Sequence, residues 1–306
     1  MKNKNIYILG AVLIVLAFIS YLVMRDTSGE KKTQKLSEKL FAADSLSIDK
    51  LEIERNGKKV IMEKKAGLWN VTFPVLYAAN QQFVGSALSN LKSYKLSSIV
   101  SANPGNKDFY GFNDTNYTKV SVYQGGSLAG IILVGNAAPG AAQTYLKKPD
   151  GNEVYLANEF LFNNFVKLDF AEWRDKAVIS IPVGSIKSID FDSGTEKYTV
   201  TKDTTMKFYV GNDTVSTAVF DGITAMLTNF TTQNFKDTTL AEDEKANYSA
   251  RVSWSRDTEF KFFRYGDEES KKYLMKVSGV DQVFEVDENF VKGFIKSRDE
   301  VLGKKK

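Results

Sequence analysis

The sequence contains no cysteine and no histidine among its 306 residues. Without cysteine, the chain has no disulfide, no thiol nucleophile and no thiolate metal ligand, and it cannot be a lipoprotein, because that attachment needs a cysteine. Without histidine, it has no Ser-His-Asp triad and no imidazole ligand for zinc. The catalytic chemistry that remains open is that of carboxylate pairs, Ser-Lys dyads and metals held by oxygen ligands.

The chain also lacks a strong excess of one sign of charge. Its formal net charge is +4, from 41 basic and 37 acidic residues. Ten of the basic and three of the acidic residues lie in residues 1–41 and 304–306, so the remainder carries three more acidic than basic side chains. Because phosphate contacts need Lys and Arg clustered on one surface, the sequence predicts no large basic face and no nucleic-acid partner.

One long apolar run is present, IYILGAVLIVLAFISYLVM at residues 6–24. A helix of about 19 residues covers about 28 Å, close to the ~30 Å hydrocarbon core of a bilayer. Tyr7 and Tyr21 lie near its ends, where such rings favour the headgroup level. A cleaved signal peptide is the alternative, but the run is longer than a usual signal core and no small-x-small cleavage site follows it. We therefore predict a retained transmembrane helix over 6–24.

The charges beside this run predict its orientation. Lys2 and Lys4 precede it, which favours a cytoplasmic end at 1–5 and a body passed across the membrane. Residues 25–41 carry five basic and three acidic side chains and form a predicted charged spacer. The expected location is the inner (cytoplasmic) membrane, with a single pass through the lipid bilayer and the body facing the periplasm or the cell exterior.

An internal repeat organises the rest of the chain. One unit opens at Ser47 with SIDKLEIERNGKKVIMEKKAGLWNV, and the other opens at Ser185 with SIKSIDFDSGTEKYTVTKDTTMKFYV. Apolar residues alternate in both with the period of a half-buried strand, and the turns Asn56-Gly57 and Ser193-Gly194 separate the predicted strands. The corresponding positions are Leu51 and Ile53 with Ile189 and Phe191, Val60 and Met62 with Tyr198 and Val200, and Trp69 with Phe208.

A predicted helix and a second set of strands follow in each unit. Asn80 can cap the first helix and Ser216 the second. The prediction is an α+β fold: an N-terminal transmembrane helix, then two repeated α+β domains at 42–178 and 183–303, each an antiparallel sheet with a covering helix. Apolar residues recur at helical spacing in both helices: Phe83, Val84, Ala87, Leu88 and Leu91 in the first, and Val219, Ile223, Met226, Leu227 and Phe230 in the second.

Two loop-like segments could be mistaken for ligand sites. GNAAPG at residues 135–140 follows a strand like a phosphate loop, but it lacks the Lys-Ser/Thr ending and leads into another strand. Residues 103–116 are rich in Asn, Asp and Gly and could bind a cation, but their spacing is not that of an EF-hand. Both are predicted to be structural loops, the first a hairpin.

Two acidic clusters are the best candidates for carboxylate chemistry. They are Glu242-Asp243-Glu244 and Asp267-Glu268-Glu269. Charged stretches in loops are usually solvated, and no pattern places two of these carboxylates in one cleft. They are therefore interpreted as solvated loops, with catalysis as the alternative.

An Arg-Asp pair occurs near the end of each unit, in Trp173-Arg174-Asp175 and in Arg298-Asp299. The pairs could form a partner-binding patch, but their recurrence favours a packing or capping role. Loop aromatics offer another contact surface for sugars or proteins, although such rings often fix a loop to the body. They are Tyr77, Tyr110, Phe112 and Tyr117.

Several of these features occur together in one known family. They are the N-terminal anchor, a strand pair ending in a Trp-x-Val-x-x-Pro-like element at Trp69, Val71 and Pro74, the capped helix, a glycine-turn strand pair leading to a tyrosine, and the closing segment at 173–176. In these the chain resembles the domain of unknown function 4340 (DUF4340) family. The resemblance implies a membrane-anchored bacterial envelope protein, whose relatives are often encoded near ABC-type export permeases and gliding-motility-like auxiliary components. It supplies no catalytic residues.

Two functions are compatible with these features. The first is a non-enzymatic accessory or interaction component of a membrane complex such as an ABC-type exporter, with a permease or auxiliary subunit as its partner. The second is an envelope glycan- or peptide-binding module or a carboxylate-dependent hydrolase, with a concave site of aromatics and carboxylates between the domains. The first is preferred, so no enzyme activity, catalytic residue, cofactor-binding residue, metal ligand or cofactor is predicted.

Overall fold

A computed structural model of the chain describes residues 12–21, 38–41 and 47–304, except residues 114, 141, 168, 242, 267, 268 and 270. Residues 12–21, within the predicted span 6–24, form a helix. The other residues of that span, and residues 25–37 of the predicted spacer, lie outside the described residues. Within the described ranges, no helix combines the length and hydropathy that crossing a membrane requires.

The first half of the body is built on a nine-stranded antiparallel sheet with the order β4-β3-β2-β1-β6-β7-β8-β9-β5. A helix, α1 (Gln81–Ser93), lies between β4 and β5 in the chain. The strands are β1 (Ile48–Arg55), β2 (Lys58–Lys65), β3 (Leu68–Phe73), β4 (Tyr77–Ala78), β5 (Leu96–Ser101), β6 (Thr118–Gln124), β7 (Ser127–Ala137), β8 (Gln143–Lys147) and β9 (Val154–Asn158).

The second half holds another nine-stranded antiparallel sheet, with the order β14-β13-β12-β11-β17-β18-β19-β20-β16. Its helices are α2 (Thr217–Thr228), α3 (Glu288–Phe294) and α4 (Arg298–Val301). The strands are β11 (Ser188–Asp192), β12 (Lys197–Lys202), β13 (Phe208–Val210), β14 (Asp213–Thr214), β16 (Phe235–Lys236), β17 (Tyr248–Ser253), β18 (Asp257–Tyr265), β19 (Lys272–Val277) and β20 (Val283–Asp287). The predicted α+β class with antiparallel sheets is confirmed.

The alternation of apolar residues explains the registers of the central strands. In the first sheet, Ile53 of β1 lies opposite Val60 of β2 and Val120 of β6, and all three are buried. In the second, Ile189 of β11 lies opposite Val200 of β12 and Val252 of β17, again all buried. Since successive strand residues face opposite sides, this register places one apolar face of each sheet on a core.

The helices α1 and α2 lie on these cores, but they begin differently. The Asn80 side chain accepts a hydrogen bond of 3.1 Å from the Phe83 backbone N–H, as the sequence predicts. Ser216 occupies the N-cap position of α2 without a side-chain capping bond. Phe230, predicted to face inward from this helix, lies instead in a short strand, and Phe220 and Thr224 fill the buried face of α2 with Ile223 and Leu227.

The chain enters the first sheet through residues 38–41. The Leu96 N–H at the start of β5 donates to the Glu38 carbonyl over 2.9 Å, and the Leu40 N–H donates to the Tyr94 hydroxyl over 3.1 Å. Phe41 lies directly against Gly130, where any Cβ would collide with its ring. The glycine therefore creates the space in which this entry segment packs.

Candidate functional site

The segment that joins the two sheets is held by both of them. On one side, the Asn80 N–H donates to the Trp173 carbonyl and the Asp175 N–H donates to the Ala78 carbonyl, each over 2.9 Å. On the other, β10 (Ala177–Ile179) pairs with β15 (Phe230–Thr231) of the second half. The segment is thus hydrogen-bonded into the structure on both sides, which fixes the side chains that it carries.

Arg174 is the central charged residue of this junction. It is only 4% exposed. Its Nη1 lies 2.7 Å from the Asp237 Oδ1 and 3.0 Å from the Gln282 Oε1, both in the second half. Its guanidinium lies 5.1 Å from the ring centroid of Phe235. A buried charge with two hydrogen-bonded partners and an aromatic face is held in a defined position.

The guanidinium is not fully satisfied by these partners. Its Nε is buried and has no hydrogen-bond partner among the described residues. Gln282 cannot turn to meet it, because its Nε2 already donates to the carbonyls of Lys236 and Val283, each over 2.8 Å. Leaving a buried donor unpaired costs about 1–3 kcal/mol, so such groups are uncommon in folded proteins.

Tyr77 adds an aromatic contact across the same junction. From strand β4 of the first sheet, its ring lies 5.7 Å from that of Phe235 and 6.0 Å from that of Phe284, both edge-on. Its hydroxyl donates to the Ala177 carbonyl over 3.1 Å. Burial, with a smaller contribution from Asp175, raises the pKa of Tyr77 to about 12. The ring therefore remains neutral and acts as a packing group.

Beside these residues, side chains of both halves line an open depression of about 410 Å³, here called the junction cleft. Its wall combines aromatic rings with side chains of both charges. Phe73 is the most accessible ring, at 45% exposed. The aromatic residues of the wall are Phe73, Phe170 and Phe235, the carboxylates are Asp169 and Asp237, and the cations are Lys58, Lys59 and Arg174.

A second depression, the hairpin groove, adjoins the cleft. It has a volume of about 370 Å³ and shares Gly57, Lys58 and Lys59 with the cleft. Its other lining residues include Arg55, Tyr117 and Lys119. The positive φ angles of Asn56 (48°) and Gly57 (72°) form the tight turn between β1 and β2 that separates the two depressions.

Ion pairs between lysine and glutamate side chains hold these residues in place beside the hairpin groove. Lys59 lies 2.9 Å from a carboxylate oxygen of Glu52 and 3.3 Å from one of Glu54, and Lys119 lies 3.6 Å from Glu54. Burial alone would raise the pKa of Glu52, but hydrogen bonds from Lys50 and Lys59 outweigh it and lower the pKa to about 2. Glu52 is therefore ionised throughout the physiological range.

The two Arg-Asp pairs noted in the sequence differ in burial and in their contacts. Arg174 lies in the junction, where it packs as predicted, and Asp175 accepts a local hydrogen bond from the Ala177 N–H. Arg298 is about half exposed and lies 3.8 Å from Asp213, at the edge of the second sheet. Of the four residues in these pairs, Arg174 alone lines the cleft. Sequence reasoning had no signal for this difference, because the partners of Arg174 lie far along the chain.

The members of the acidic clusters that the structure describes do not line the cleft or the groove. Asp243, Glu244 and Glu269 are exposed, while Glu242, Asp267 and Glu268 lie outside the described residues. Across the part of the chain that the structure describes, no three Asp or Glu side chains are grouped as metal ligands would be.

The glycine-containing and aromatic loops pack against each other. Residues 135–137 belong to β7, and GNAAPG leads into the β7–β8 hairpin, as predicted. Gly135 has no room for a side chain, because a Cβ there would meet the Tyr110 carbonyl and the Phe112 ring. Phe112 was expected in a loop at the surface, but it is 4% exposed and packs with Leu133 and Val154. Of the four singled-out aromatics, Tyr117 lines the groove and Tyr77 lies in the junction.

Comparison with known proteins identifies one family. A model described as a domain of unknown function (DUF4340) matches residues 69–251, which is more than half of the chain. No curated protein and no solved structure matches the chain. The matched region includes most of the first sheet, the junction segment and the beginning of the second sheet.

Proposed function

The chain belongs to the DUF4340 family, and we propose that it is a non-enzymatic binding component of a membrane complex, with the junction cleft as its binding site. On this proposal, residues 6–24 anchor it once in the inner membrane and the body faces the periplasm or the cell exterior. The partner is a permease or auxiliary subunit of an ABC-type exporter. The resemblance in sequence and the apolar run support this placement.

The observation that carries the binding role is the position of Arg174. A binding site needs a few polar groups held rigidly in a concave, partly apolar wall. Arg174 is held by Asp237, Gln282 and Phe235, and exposed Phe73 supplies an apolar surface in the same wall. These groups come from both sheets, so a ligand in the cleft would contact both halves.

The carboxylates of the cleft support binding over hydrolysis. Hydrolysis by a carboxylate pair needs one group free to transfer a proton and another free to attack or to activate water. Asp237 is paired with Arg174, and Asp169 accepts a hydrogen bond from the Ala171 N–H over 3.0 Å. Each therefore already has a structural partner.

We further propose that the body consists of two repeated domains, at 42–178 and 183–303. In both halves the four opening strands run outward from the centre of the sheet, a helix follows, and the next strand that belongs to the same sheet lies at its far edge. This shared order supports duplication of one ancestral unit. The cleft would then be a site that a single unit lacks, since its wall draws on both.

Membrane attachment bears on the strength of binding that this proposal requires. Tethering two proteins to one membrane raises their effective concentration, so a contact that is weak in solution can be occupied. The cleft, with its mixed polar and apolar wall, suits such a moderate contact.

Site-specific photo-crosslinking in native membranes tests the proposal. A photoreactive phenylalanine analogue replaces Phe73 in the cleft wall or, as a control, Phe109, which is 76% exposed and lies outside the cleft. A further control retains the anchor and lacks residues 44–302. We expect a permease or auxiliary subunit to be captured from position 73 alone. Capture from position 109 alone would move the contact to a loop, and equal capture from both would contradict a specific site.

A second candidate function is an envelope glycan- or peptide-binding module with no transporter partner. The observation that favours it is the cleft itself, where aromatic rings and carboxylates meet between the two halves. A carboxylate-dependent hydrolase is the enzymatic form of this candidate. Absence of any protein crosslink from position 73, together with binding of an envelope glycan or peptide to the full-length protein, would favour this candidate.

A further inference from the structure

We infer that the junction cleft and the hairpin groove form one channel for an anionic glycan. This inference rests on the second candidate function proposed above, an envelope glycan-binding module, and specifies the charge of the glycan that the cleft binds. Continuity is the first argument, because Gly57, Lys58 and Lys59 line both depressions. An elongated ligand could therefore cross the β1–β2 turn and contact both.

The charge of this channel is opposite to that of the body around it. Its lining carries five cations and three carboxylates, whereas residues 42–303 have a small acidic excess. Charge complementarity of this kind favours an anionic ligand and speeds its association. The cations are Arg55, Lys58, Lys59, Lys119 and Arg174, and the carboxylates are Glu54, Asp169 and Asp237.

Lys58 is the cation best placed to meet a ligand. It is exposed at the start of β2 and forms no ion pair with any residue that the structure describes. Lys59 and Lys119, in contrast, share Glu54. Lys58 lines both depressions, so its charge lies where the two parts of the channel meet.

The corresponding surface of the second sheet serves as an internal comparison. A depression of about 320 Å³ lies there on β11, β12 and β17, the strands that match β1, β2 and β6 in sheet order. It is lined by three carboxylates and two cations: Asp190, Asp192 and Glu259, with Lys197 and Arg251. A cationic lining is therefore a property of the first sheet and not of the shared strand arrangement.

The carboxylates of the channel favour a glycan over an acidic peptide. Asp169 and Asp237 keep acceptor oxygens in the cleft wall, which suit the hydroxyl groups of a sugar. The ionised side chains of an acidic peptide only accept hydrogen bonds, so they cannot donate to these oxygens as the hydroxyl groups of a sugar can. Phe73 in the cleft and Tyr117 in the groove add ring surfaces against which a sugar can pack.

Binding of an oligogalacturonate to the full-length protein in mild detergent tests the inference. The double variant K58Q/K119Q removes two channel cations, and K65Q/K197Q removes two exposed lysines elsewhere, each with one carboxylate partner. We expect K58Q/K119Q to weaken binding about five- to tenfold and K65Q/K197Q to leave it unchanged. Added salt should weaken binding by the wild-type protein, because the contacts are exposed.

Two further probes identify the class of ligand. Oligoglutamate of equal charge represents an acidic peptide, and neutral dextran represents an uncharged glycan. Tighter binding of oligoglutamate, equal binding of dextran, or no binding of oligogalacturonate would each overturn the inference. Equal loss in both lysine variants would overturn it too. Glycan binding that K58Q/K119Q leaves unchanged would overturn this inference and leave the glycan-binding candidate standing, whereas no binding of either oligogalacturonate or dextran would contradict both.

Discussion

Arg174 has every hydrogen bond of its guanidinium directed to the other half of the chain. Asp237 and Gln282 lie more than 60 and 100 residues away, and both follow the helix α2. The residue therefore links two sheets whose strands make no ladder with each other among the described residues. Removing the Arg174 side chain would leave both Asp237 and Gln282 without the donor that they share.

Substitution of Arg174 by Met is expected to destabilise the protein by about 2–3 kcal/mol. The change leaves Gln282 buried without its donor and Asp237 without its counter-ion, and the partial exposure of Asp237 keeps the cost below that of a fully buried pair. Urea unfolding followed by tryptophan fluorescence measures it, with buried Trp173 beside the site.

Arg298→Met is the matched control for this substitution. Its guanidinium is about half exposed and lies 3.8 Å from Asp213, so its loss should cost less than about 1 kcal/mol. Similar costs for the two variants would show that the contacts of Arg174 contribute no more than a surface ion pair.

Glu52 should make the stability of the first sheet sensitive to acid. Its pKa is about 2 in the folded protein, against an ordinary value of 4.5. Because the folded value is the lower one, this stabilisation is complete above about pH 4.5 and disappears as the pH falls towards 2. Glu52→Gln should cost about 1–2 kcal/mol at pH 7, and its difference from wild type should shrink across that window.

Unfolding midpoints of Glu52→Gln and Glu63→Gln across this pH range provide the measurement. Glu63 has a single lysine partner at 3.7 Å, so its loss should cost no more than about 0.5 kcal/mol. A difference between Glu52→Gln and wild type that stays constant down to pH 2 would contradict the assigned role of Glu52.

The contacts of several individual residues could not be predicted from the sequence. Recurrence in both units favours a packing role for Trp173-Arg174-Asp175, and Arg174 is indeed buried, but its partners depend on how the second half is placed. Phe112 was interpreted as a loop aromatic at the surface, whereas Gly135 leaves the space that buries it. Lys58 and Lys119 come together only because β1 pairs with both β2 and β6.

At the scale of elements, the two helices α1 and α2 make a matched pair for testing caps. Asn80→Ala should destabilise the protein by about 1 kcal/mol, because the Asn80 side chain accepts from the Phe83 N–H at the first turn of α1. Ser216→Ala should cost only a few tenths of a kcal/mol, because no side-chain cap is made there.

Chemical unfolding of both variants checks this difference. Equal losses would mean that the Ser216 hydroxyl caps α2 in solution, or that the bond at Asn80 contributes nothing. The Phe83 amide should also exchange its hydrogen faster in Asn80→Ala, because the substitution removes its acceptor.

The strands were easier to predict than the ends of the helices. Alternation and the turn residues identify β1, β2, β11 and β12, since a one-residue slip would turn every apolar side chain to the solvent. The second helix ends two residues earlier than its apolar pattern suggests, because Phe230 pairs in β15 with the joining segment. That pairing is non-local, so helical spacing alone could not reveal it.

At the scale of the whole molecule, the junction should make the two halves unfold together. Tyr77→Ala removes a ring that contacts Phe235 and Phe284 across the junction, and it removes the hydrogen bond to Ala177. We expect a single unfolding transition in wild type and two separable transitions in Tyr77→Ala, because each half retains its own core.

Tyr77→Phe is the conservative control. It keeps the ring and loses one hydrogen bond, so it should cost about 0.5–1.5 kcal/mol and leave the transition single. Differential scanning calorimetry and fluorescence, compared on the same samples, distinguish one transition from two. A single transition in Tyr77→Ala would show that other contacts suffice to couple the halves.

The sequence contains enough information to propose a duplication, but not the arrangement of its units. The matching strand and turn patterns that begin at Ser47 and Ser185 predict the elements of each unit from local residue preferences. The junction depends instead on a few contacts between distant residues, such as Arg174 with Asp237, and these leave no periodic signal. The candidate site lies in this least predictable part of the molecule.

The entry segment at residues 38–41 determines how the body would respond to mechanical load. Tension applied from the N-terminal end would reach the body at Tyr94, Leu96 and Gly130, all in the first half. None of these contacts involves the junction. Movement of the attachment point would therefore load the first half directly and would not separate the two halves.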